Sequence, residues 1–395
     1  MPRCQWRDRP GRRENGLIGM TLVLFVILIA LVFEFINGFH DCANAIATSV
    51  GTRALSAGQA IILAATLDLL GALSGTAVAK TVGAGLVDTN LINLTPIVCA
   101  LIGGIFWNLV TWYYGLPSSS SHALMGGLCG AAIASAGGVA GIIWFKPSPE
   151  FGFRGFFGDI VAFFKSAGLL PKVLVPMFAA PIVGLLLGFF ITSVLYFILG
   201  RINRKPEIRT RHANRGFRGL QLVSSAWMAF EHGRNDAQKS MGIIALTLFL
   251  ATSKTTAFND LPSWLHFLRT PQFDIADWVK VVCAITMAAG VSMGGWRIIK
   301  TLGKNMVKLE PVHGFAAQTT ASMVIEAATS IGIPLSTTHV VSGSVMGVGA
   351  TKRLNAVKWS IAERMLWAWI MTIPICGGIG FGLTWVVMKL GFREG

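Results

Sequence analysis

An uncharged run of 57 residues, from Thr89 to Phe145, limits what this chain can fold into more than any other feature of its sequence. The run contains no Asp, Glu, Lys or Arg. As one straight helix it would be about 85 Å long at 1.5 Å per residue, whereas the apolar core of a bilayer is about 30 Å thick. The run must therefore fold back on itself.

The composition places this run in a membrane protein. The apolar types AVILMFWYC make up 53% of the 395 residues, and DEKR make up 13%, about half the charged share of an ordinary soluble domain. The mean hydropathy is +0.63. These values argue against a soluble globule, a disordered chain, a coiled coil or a secreted disulfide scaffold. The sequence predicts an all-α, multi-pass membrane protein.

The net charge of +15 does not predict a nucleic-acid partner, because the basic residues cluster between apolar segments. Such clusters are typical of cytoplasmic loops in membrane proteins. The six cysteines show no CxxC spacing, so we expect neither disulfides nor a zinc site. The two clusters are formed by Arg3, Arg7, Arg9, Arg12 and Arg13, and by Arg201, Arg204, Lys205, Arg209, Arg211, Arg215 and Arg218.

The long run is interrupted at 115–122 by Gly-Leu-Pro-Ser-Ser-Ser-Ser-His. Gly and Pro break a helix, and the serines that follow are favoured helix N-caps. A break at membrane depth is tolerated only where the freed backbone lines a protein cavity. The motif recurs 217 residues later as Gly-Ile-Pro-Leu-Ser-Thr-Thr-His at 332–339. We predict two matching hairpins beside a polar site.

A second pair of motifs precedes the hairpins in the same order. Asn-Gly-Phe-His-Asp-Cys-Ala-Asn at 37–44 matches His-Gly-Arg-Asn-Asp-Ala-Gln-Lys at 232–239, at an offset of 195. We predict that the membrane helix is broken at both motifs, as in secondary transporters built from two repeats. The predicted organisation is a basic N-terminal segment at 1–16, a first transmembrane repeat at 17–200, a basic loop at 201–218 and a second transmembrane repeat at 219–390.

The hairpin tips carry two hydroxyl clusters, each where a half-helix begins. Free N–H groups and the positive end of the helix dipole point out of such a terminus. Two facing termini could replace the hydration shell of a tetrahedral oxyanion. Ordinary N-capping explains one cluster, but two matching clusters favour an anion site. The predicted ligands are Ser119, Ser120, Ser121, Ser336, Thr337 and Thr338.

Two acidic residues, Asp41 and Asp236, are matched by the repeat and lie between apolar runs. An intramembrane carboxylate is costly and is by default a functional hypothesis. Asp41 with the amides of Asn37 and Asn44, and Asp236 with that of Asn235, form an environment of hard oxygens that suits a small cation or a proton. The alternative is that these side chains only satisfy broken backbone.

Lys239 stands in the second motif where Asn44 stands in the first. Its ammonium, three residues from Asp236, could take the place of a mobile cation, although a lysine at a helix end can also snorkel to the interface. His40 could carry a proton, because imidazole is the side chain that ordinarily changes charge near neutral pH. For His122 and His339 we expect hairpin packing. Secondary candidates are Glu34, Glu231 and Glu326, either as members of a proton relay or as partners for Lys239 and Arg234.

These four motifs resemble the paired signatures and hairpins of the PiT family of inorganic phosphate transporters. The resemblance extends from about residue 20 to 390. It implies an inverted-repeat fold with broken helices and paired re-entrant Gly-Pro hairpins, a homodimer in the lipid bilayer, and phosphate transport by alternating access. It places phosphate at the two hydroxyl clusters, and the coupling ion at Asp41, Asn44, Asn235 and Asp236.

The sequence departs from the sodium-coupled pattern, which typically reads Gly-Ala-Asn-Asp-x-Ala-Asn in both halves. Here His40 replaces the first Asn of one half, and Gln238 and Lys239 replace Ala-Asn of the other. The pattern is closer to the bacterial low-affinity branch, which is similar to proton symporters that carry phosphate with a divalent metal. We therefore expect proton-coupled phosphate symport in the inner membrane.

Three alternatives remain open: sodium-coupled phosphate symport, sulfate transport by the same fold, and an anion channel, since half-helix termini also line pores. No nucleotide-binding or hydrolase motif is present in its required context. We expect no enzyme activity, no cofactor and no protein-bound metal.

Overall fold

The computed structural model describes residues 10–152, 155–202, 206–255, 258 and 261–391. This part of the chain forms thirteen α-helices and no β-strand. The first seven are α1 Pro10–Gly51, α2 Ala57–Ala72, α3 Ala77–Ala84, α4 Leu94–Tyr114, α5 Ser120–Ala136, α6 Gly155–Lys165 and α7 Val175–Ile202. The others are α8 Pro206–Lys254, α9 Asp277–Met293, α10 Trp296–Lys300, α11 Pro311–Ser330, α12 Thr337–Ala350 and α13 Trp359–Lys389. Short π-helical turns, Leu170–Leu174 and Thr301–Asn305, precede α7 and follow α10.

Four helical segments among the described residues are long and apolar enough to cross a membrane: Gly19–Gly51, Leu94–Tyr114, Leu170–Arg201 and Trp359–Lys389. Two bent pairs raise the number to six if each pair is one span. Helices α2 and α3 meet at 70°, and α9 meets the segment Trp296–Asn305 at 59°. The chain is thus a multi-pass membrane protein, as its composition predicts.

Helices from the first half of the chain pack on helices from the second half. Helix α1 packs on α9 and α8 packs on α2, while α5 packs on α13 and α12 packs on α7. Each half therefore supplies helices that cover the other half. The motif helices α1 and α8 lie inside this arrangement, next to the hairpins α4–α5 and α11–α12.

The prediction of helix breaks at 37–44 and 232–239 is wrong, because α1 and α8 run through both motifs without interruption. A Cβ atom on Gly38 would lie 2.5 Å from the carbonyl oxygen of Met287, and one on Gly233 would lie 2.1 Å from that of Asp68. Both glycines therefore permit close helix contact instead of a break. The chain breaks in the partner helices, between α2 and α3 and between α9 and α10.

The predicted basic loop at 201–218 is helical from Pro206 onward, where α8 begins. Its residues 203–205 lie outside the described part of the chain, as do 1–9 of the predicted N-terminal segment. Helix α8 is 49 residues long, so its basic first part continues into the apolar part as one helix instead of forming a separate loop.

We expect Gly233→Ala to lower the thermal stability of the purified protein. The new methyl group would overlap the Asp68 carbonyl oxygen, and overpacking of this kind costs about 1–3 kcal/mol. The matched control is Gly378→Ala, since Gly378 is also helical but has no atom within 4 Å of the added Cβ. Equal melting temperatures for the two variants would contradict close packing at Gly233.

Candidate functional site

The chain turns at both Gly-Pro motifs, and a new helix starts at each hydroxyl cluster. Gly115 and Gly332 adopt left-handed φ values of 63° and 67° at the two turns. Ser119 Oγ accepts a hydrogen bond from the His122 amide at 3.1 Å and caps α5. Ser336 caps α12 in the same way. Two of the six predicted phosphate ligands are therefore N-caps in this structure.

The two hairpin tips meet in the interior. Ser121 Oγ donates a hydrogen bond to the Leu335 carbonyl at 3.3 Å, which joins one tip to the other. From α1, Asn44 Nδ2 donates to Thr338 Oγ1 at 2.9 Å and to Thr337 Oγ1 at 3.1 Å. All of these side chains are buried. The structure thus brings the positive N-terminal ends of α5 and α12 to one place.

The rings of His122 and His339 contact each other behind the tips, with centroids 4.7 Å apart. His339 also lies against Trp369, whose Nε1 donates a hydrogen bond to the Pro117 carbonyl of the first turn. Both histidines are buried. This is hairpin packing of the kind expected from the sequence.

Each hairpin tip is hydrogen-bonded to the aspartate of its own repeat. Ser120 Oγ donates to Asp41 Oδ2 at 2.6 Å, and Thr337 Oγ1 donates to Asp236 Oδ2 at 3.2 Å. His40 Nδ1 lies 2.7 Å from Asp41 Oδ1. The aspartates are 3% and 0% exposed. Negative charge is therefore placed directly beside the two positive helix ends.

The carboxylates of the two repeats also lie close to each other. One oxygen each from Asp41 and Asp236 and one ring nitrogen of His232 lie within 4.8 Å of one another. Such a group can hold a proton or a small cation. Lys239 Nζ lies beside it, 2.5 Å from Asp236 Oδ1 and 3.3 Å from the Leu335 carbonyl oxygen. The ammonium therefore has the oxygen neighbours that a bound cation would have.

Two of the predicted coupling residues brace the hairpins. Asn235 Nδ2 donates to Thr329 Oγ1 at 2.8 Å and to the Ile333 carbonyl at 3.3 Å, both near the second tip. His40 Nε2 lies 3.1 Å from Thr111 Oγ1 on α4, near the first tip. His40 and Asn235, which are matched between the two motifs, therefore each contact a helix of the adjacent hairpin with a different side chain.

One departure from the sodium-coupled pattern has a structural role. Gln238 Oε1 accepts hydrogen bonds from the amides of Val78 and Ala79 at 2.7 and 3.2 Å. These amides belong to the first turn of α3, whose own N-cap residue Thr76 makes no side-chain capping bond. Gln238 thus supplies the acceptor that helix termini require, and it fixes the bend between α2 and α3 to α8.

Sequence reasoning missed Asp68 and gave no role to His232. Asp68 Oδ1 lies 2.9 Å from His232 Nδ1, and His232 Nε2 lies 3.4 Å from Asp236 Oδ2. All three are fully buried. Asp68 is the only charged residue between Arg53 and Lys80. Because a charge inside a membrane is costly, its position in this apolar stretch was the signal that could have identified it as a candidate functional residue.

The secondary glutamates differ in their surroundings. Glu34 is buried and accepts a hydrogen bond from Ser240 Oγ at 2.6 Å, one residue from Lys239. Glu231 pairs with Arg234 at 3.3 Å instead of with Lys239. Of these two, Glu34 is therefore the one that is hydrogen-bonded to the residue next to Lys239.

Each hairpin turn is also held by the bent helix pair of the other repeat. Thr81 Oγ1 of α3 donates to the Gly332 carbonyl at 2.7 Å, and Thr301 Oγ1, after α10, donates to the Gly115 carbonyl at 2.9 Å. The two contacts are reciprocal. A movement of either bent helix pair would therefore displace the hairpin turn to which it is hydrogen-bonded.

Residues 37–380 match the phosphate transporter family. The "Probable low-affinity inorganic phosphate transporter" of Bacillus subtilis (strain 168) is 41% identical over 363 residues, which cover 91% of this chain and 96% of the relative. The protein of the same name from Rhizobium meliloti (strain 1021) is 37% identical, covering 91% and 95%.

A solved structure described as "The sodium-dependent phosphate transporter" is similar to this chain with a TM-score of 0.69. The match covers 94% of this chain and 100% of the other, at 24% identity. At that identity the likeness speaks for the fold alone. It confirms the predicted all-α membrane fold.

Proposed function

Because the chain belongs to the phosphate transporter family, we propose that it is a proton-coupled secondary transporter of inorganic phosphate in the inner membrane. Membership confirms the resemblance noted in the sequence, and it makes the chain a transporter and not an enzyme. One observation carries the proposal: two helix N-termini meet beside Asp41, Asp236 and Lys239.

Phosphate would bind between the N-terminal ends of α5 and α12. The first-turn amides of a helix have no intrahelical acceptor, and the helix dipole adds positive potential. The hydroxyls of Ser120, Ser121, Thr337 and Thr338 lie in these first turns. A hydroxyl can rotate from its present acceptor to a phosphate oxygen, so the existing hydrogen bonds to Asp41 and Asp236 do not prevent binding.

The charges around the site support proton coupling. Asp236 has an ammonium partner in Lys239, whereas the hydrogen-bond neighbours of Asp41 are His40 and a hydroxyl. Lys239 thus stands as a fixed cation at one of two matched positions. At the other matched position, one mobile proton shared by Asp41 and His40 would supply the positive charge.

The same carboxylates favour phosphate over sulfate. Protonated phosphate can donate a hydrogen bond to Asp41 or Asp236, and sulfate at neutral pH has no proton to donate. Sulfate would bring its double negative charge against two buried carboxylates without that bond. We further propose that phosphate enters as a complex with a divalent metal, because the metal reduces the net charge that crosses the membrane. We also propose that the protein is a homodimer.

The test is radiolabelled phosphate uptake into proteoliposomes under separately imposed proton and sodium gradients, with sulfate as competitor. We expect the proton gradient alone to drive accumulation, with weak competition by sulfate. The control is the double variant Ser121→Ala, Thr338→Val, which should raise KM for phosphate about 10-fold, the worth of one or two lost hydrogen bonds, without changing the driving ion.

Three results would oppose the proposal. Accumulation that requires sodium would contradict proton coupling. Flux that follows the membrane potential, without stimulation by phosphate on the opposite side, would indicate a channel. Equal competition by sulfate would contradict the assigned role of the two carboxylates.

A further inference from the structure

A basic patch forms where two segments distant in sequence are joined at one end of the helices. Val307 and Val357 form an antiparallel β-bridge, and the Lys358 amide donates to the Met306 carbonyl at 3.1 Å. The bridge places the turn after Thr301–Asn305 beside the connection between α12 and α13. The patch consists of five exposed residues, Lys304, Lys308, Lys352, Arg353 and Lys358.

The patch carries almost no compensating charge. Glu310 is the only acidic residue in the segments 301–310 and 351–359, and it pairs with Lys352 at 2.9 Å. The pKa of Glu310 lies below its ordinary value, first because Lys352 donates a hydrogen bond to it, and further because of the positive charges of Lys352 and Lys308. Four of the five basic charges are left without an acidic partner within these segments.

Apolar side chains lie among these charges. Leu354 is 67% exposed and Trp359 is 46% exposed, and the Trp359 indole donates to the Leu354 carbonyl at 3.0 Å. Trp359 is also the first residue of α13, a candidate membrane span. Exposed tryptophan and basic residues at the end of a span are typical of the headgroup region of a bilayer.

We propose that this basic patch binds the headgroups of anionic phospholipids and that their binding supports transport. The spread of exposed, flexible lysines with apolar neighbours suits a lipid surface better than a single free phosphate ion, which would need converging donors.

The effect on transport rests on the proposed function and on two connections, one through a hydrogen bond and one along the chain. The patch begins in the turn whose first residue, Thr301, holds the Gly115 carbonyl of the first hairpin. It continues at Lys352, two residues after α12 of the second hairpin ends. Lipid bound at the patch would therefore stabilise segments attached to both hairpins.

The test compares lipid retention by the whole protein purified from vesicles of phosphatidylcholine and phosphatidylglycerol at 3:1. The patch variant combines Lys304→Gln, Lys308→Gln, Arg353→Gln and Lys358→Gln, which leaves the pair of Lys352 with Glu310 intact. The control combines four exposed lysines outside the patch, Lys80→Gln, Lys146→Gln, Lys165→Gln and Lys389→Gln. We expect the patch variant to retain about 10-fold less phosphatidylglycerol than the control, since juxtamembrane basic charges attract anionic lipid additively.

Uptake is measured in parallel in phosphatidylcholine alone and in the mixture. The unmodified protein and the control should be faster in the mixture, and the patch variant should lose that stimulation while keeping its rate in phosphatidylcholine. Equal lipid retention by patch variant and control would overturn the binding proposal, even if neither the unmodified protein nor any variant transports phosphate. If the patch variant has a raised KM for phosphate in phosphatidylcholine alone, the patch collects free phosphate. If the patch variant loses uptake in both lipids, the substitutions have damaged the fold. Either result would overturn the proposed effect of lipid on transport.

Discussion

Asp236→Asn should reduce phosphate uptake at least about 100-fold, the largest loss that we expect from a single substitution. The substitution removes a carboxylate that accepts hydrogen bonds from Lys239 Nζ at 2.5 Å and from Thr337 Oγ1 at 3.2 Å. Breaking a buried ion pair by removing one partner costs about 3–5 kcal/mol, because an uncompensated charge stays buried. Initial uptake rates in proteoliposomes at equal protein content measure the effect.

A second variant separates coupling from folding. Asp236→Asn combined with Lys239→Met removes both charges of the pair, so no ammonium is left buried without a partner. We expect its melting temperature to recover towards that of the unmodified protein while uptake stays lost. Normal uptake by this double variant would show that the pair only stabilises the fold, and the coupling role of Asp236 would have to be abandoned.

Lys239→Asn should make uptake respond to sodium. Lys239 Nζ now lies beside the Asp236 carboxylate and the Leu335 carbonyl oxygen. Asn in its place offers an amide oxygen, as Asn44 does at the matched position of the first motif. Carboxylate, carbonyl and amide oxygens are ligands for hard cations. We expect at least about 10-fold stimulation by an inward sodium gradient at constant pH, since one fixed charge of a buried pair is worth more than about 1.4 kcal/mol.

The comparison for that measurement is Lys239→Met, which removes the ammonium but supplies no oxygen ligand. It should show no sodium response, so that stimulation can be assigned to the new ligand and not to lost charge alone. If Lys239→Asn retains the original pH dependence and ignores sodium, then Lys239 is not a substitute for a mobile cation.

Much of the candidate site could be predicted from residue types and spacing. The hydroxyl clusters lie where helices begin, because Gly115 and Pro117 can end one helix and Ser119 can cap the next. Asp41 and Asp236 are buried near those clusters, as the cost of an intramembrane charge predicts. These are local properties of the chain, or follow from its insertion in a bilayer, so they need no knowledge of the packing.

The continuity of the motif helices could not be predicted in this way. Gly38 and Gly233 are compatible both with a broken helix and with a helix crossing, and only the neighbouring backbone at Met287 and Asp68 decides for the crossing. Polar side chains in a motif likewise do not require a break when facing helices supply their partners, as Thr329 does for Asn235.

By itself the sequence determined an all-α membrane protein, and it predicted two repeats and the residue types of an anion site beside buried carboxylates, because hydropathy, helix-breaking residues and charge act locally along the chain. The tertiary structure alone decided that α8 packs on α2 and α1 on α9. From that packing follow the contact of Asp68 with His232, the hold of Thr301 on the first hairpin, and the basic patch around the bridge of Val307 and Val357. These contacts join residues from 50 to 186 positions apart, and no local pattern specifies which distant helix will cover which.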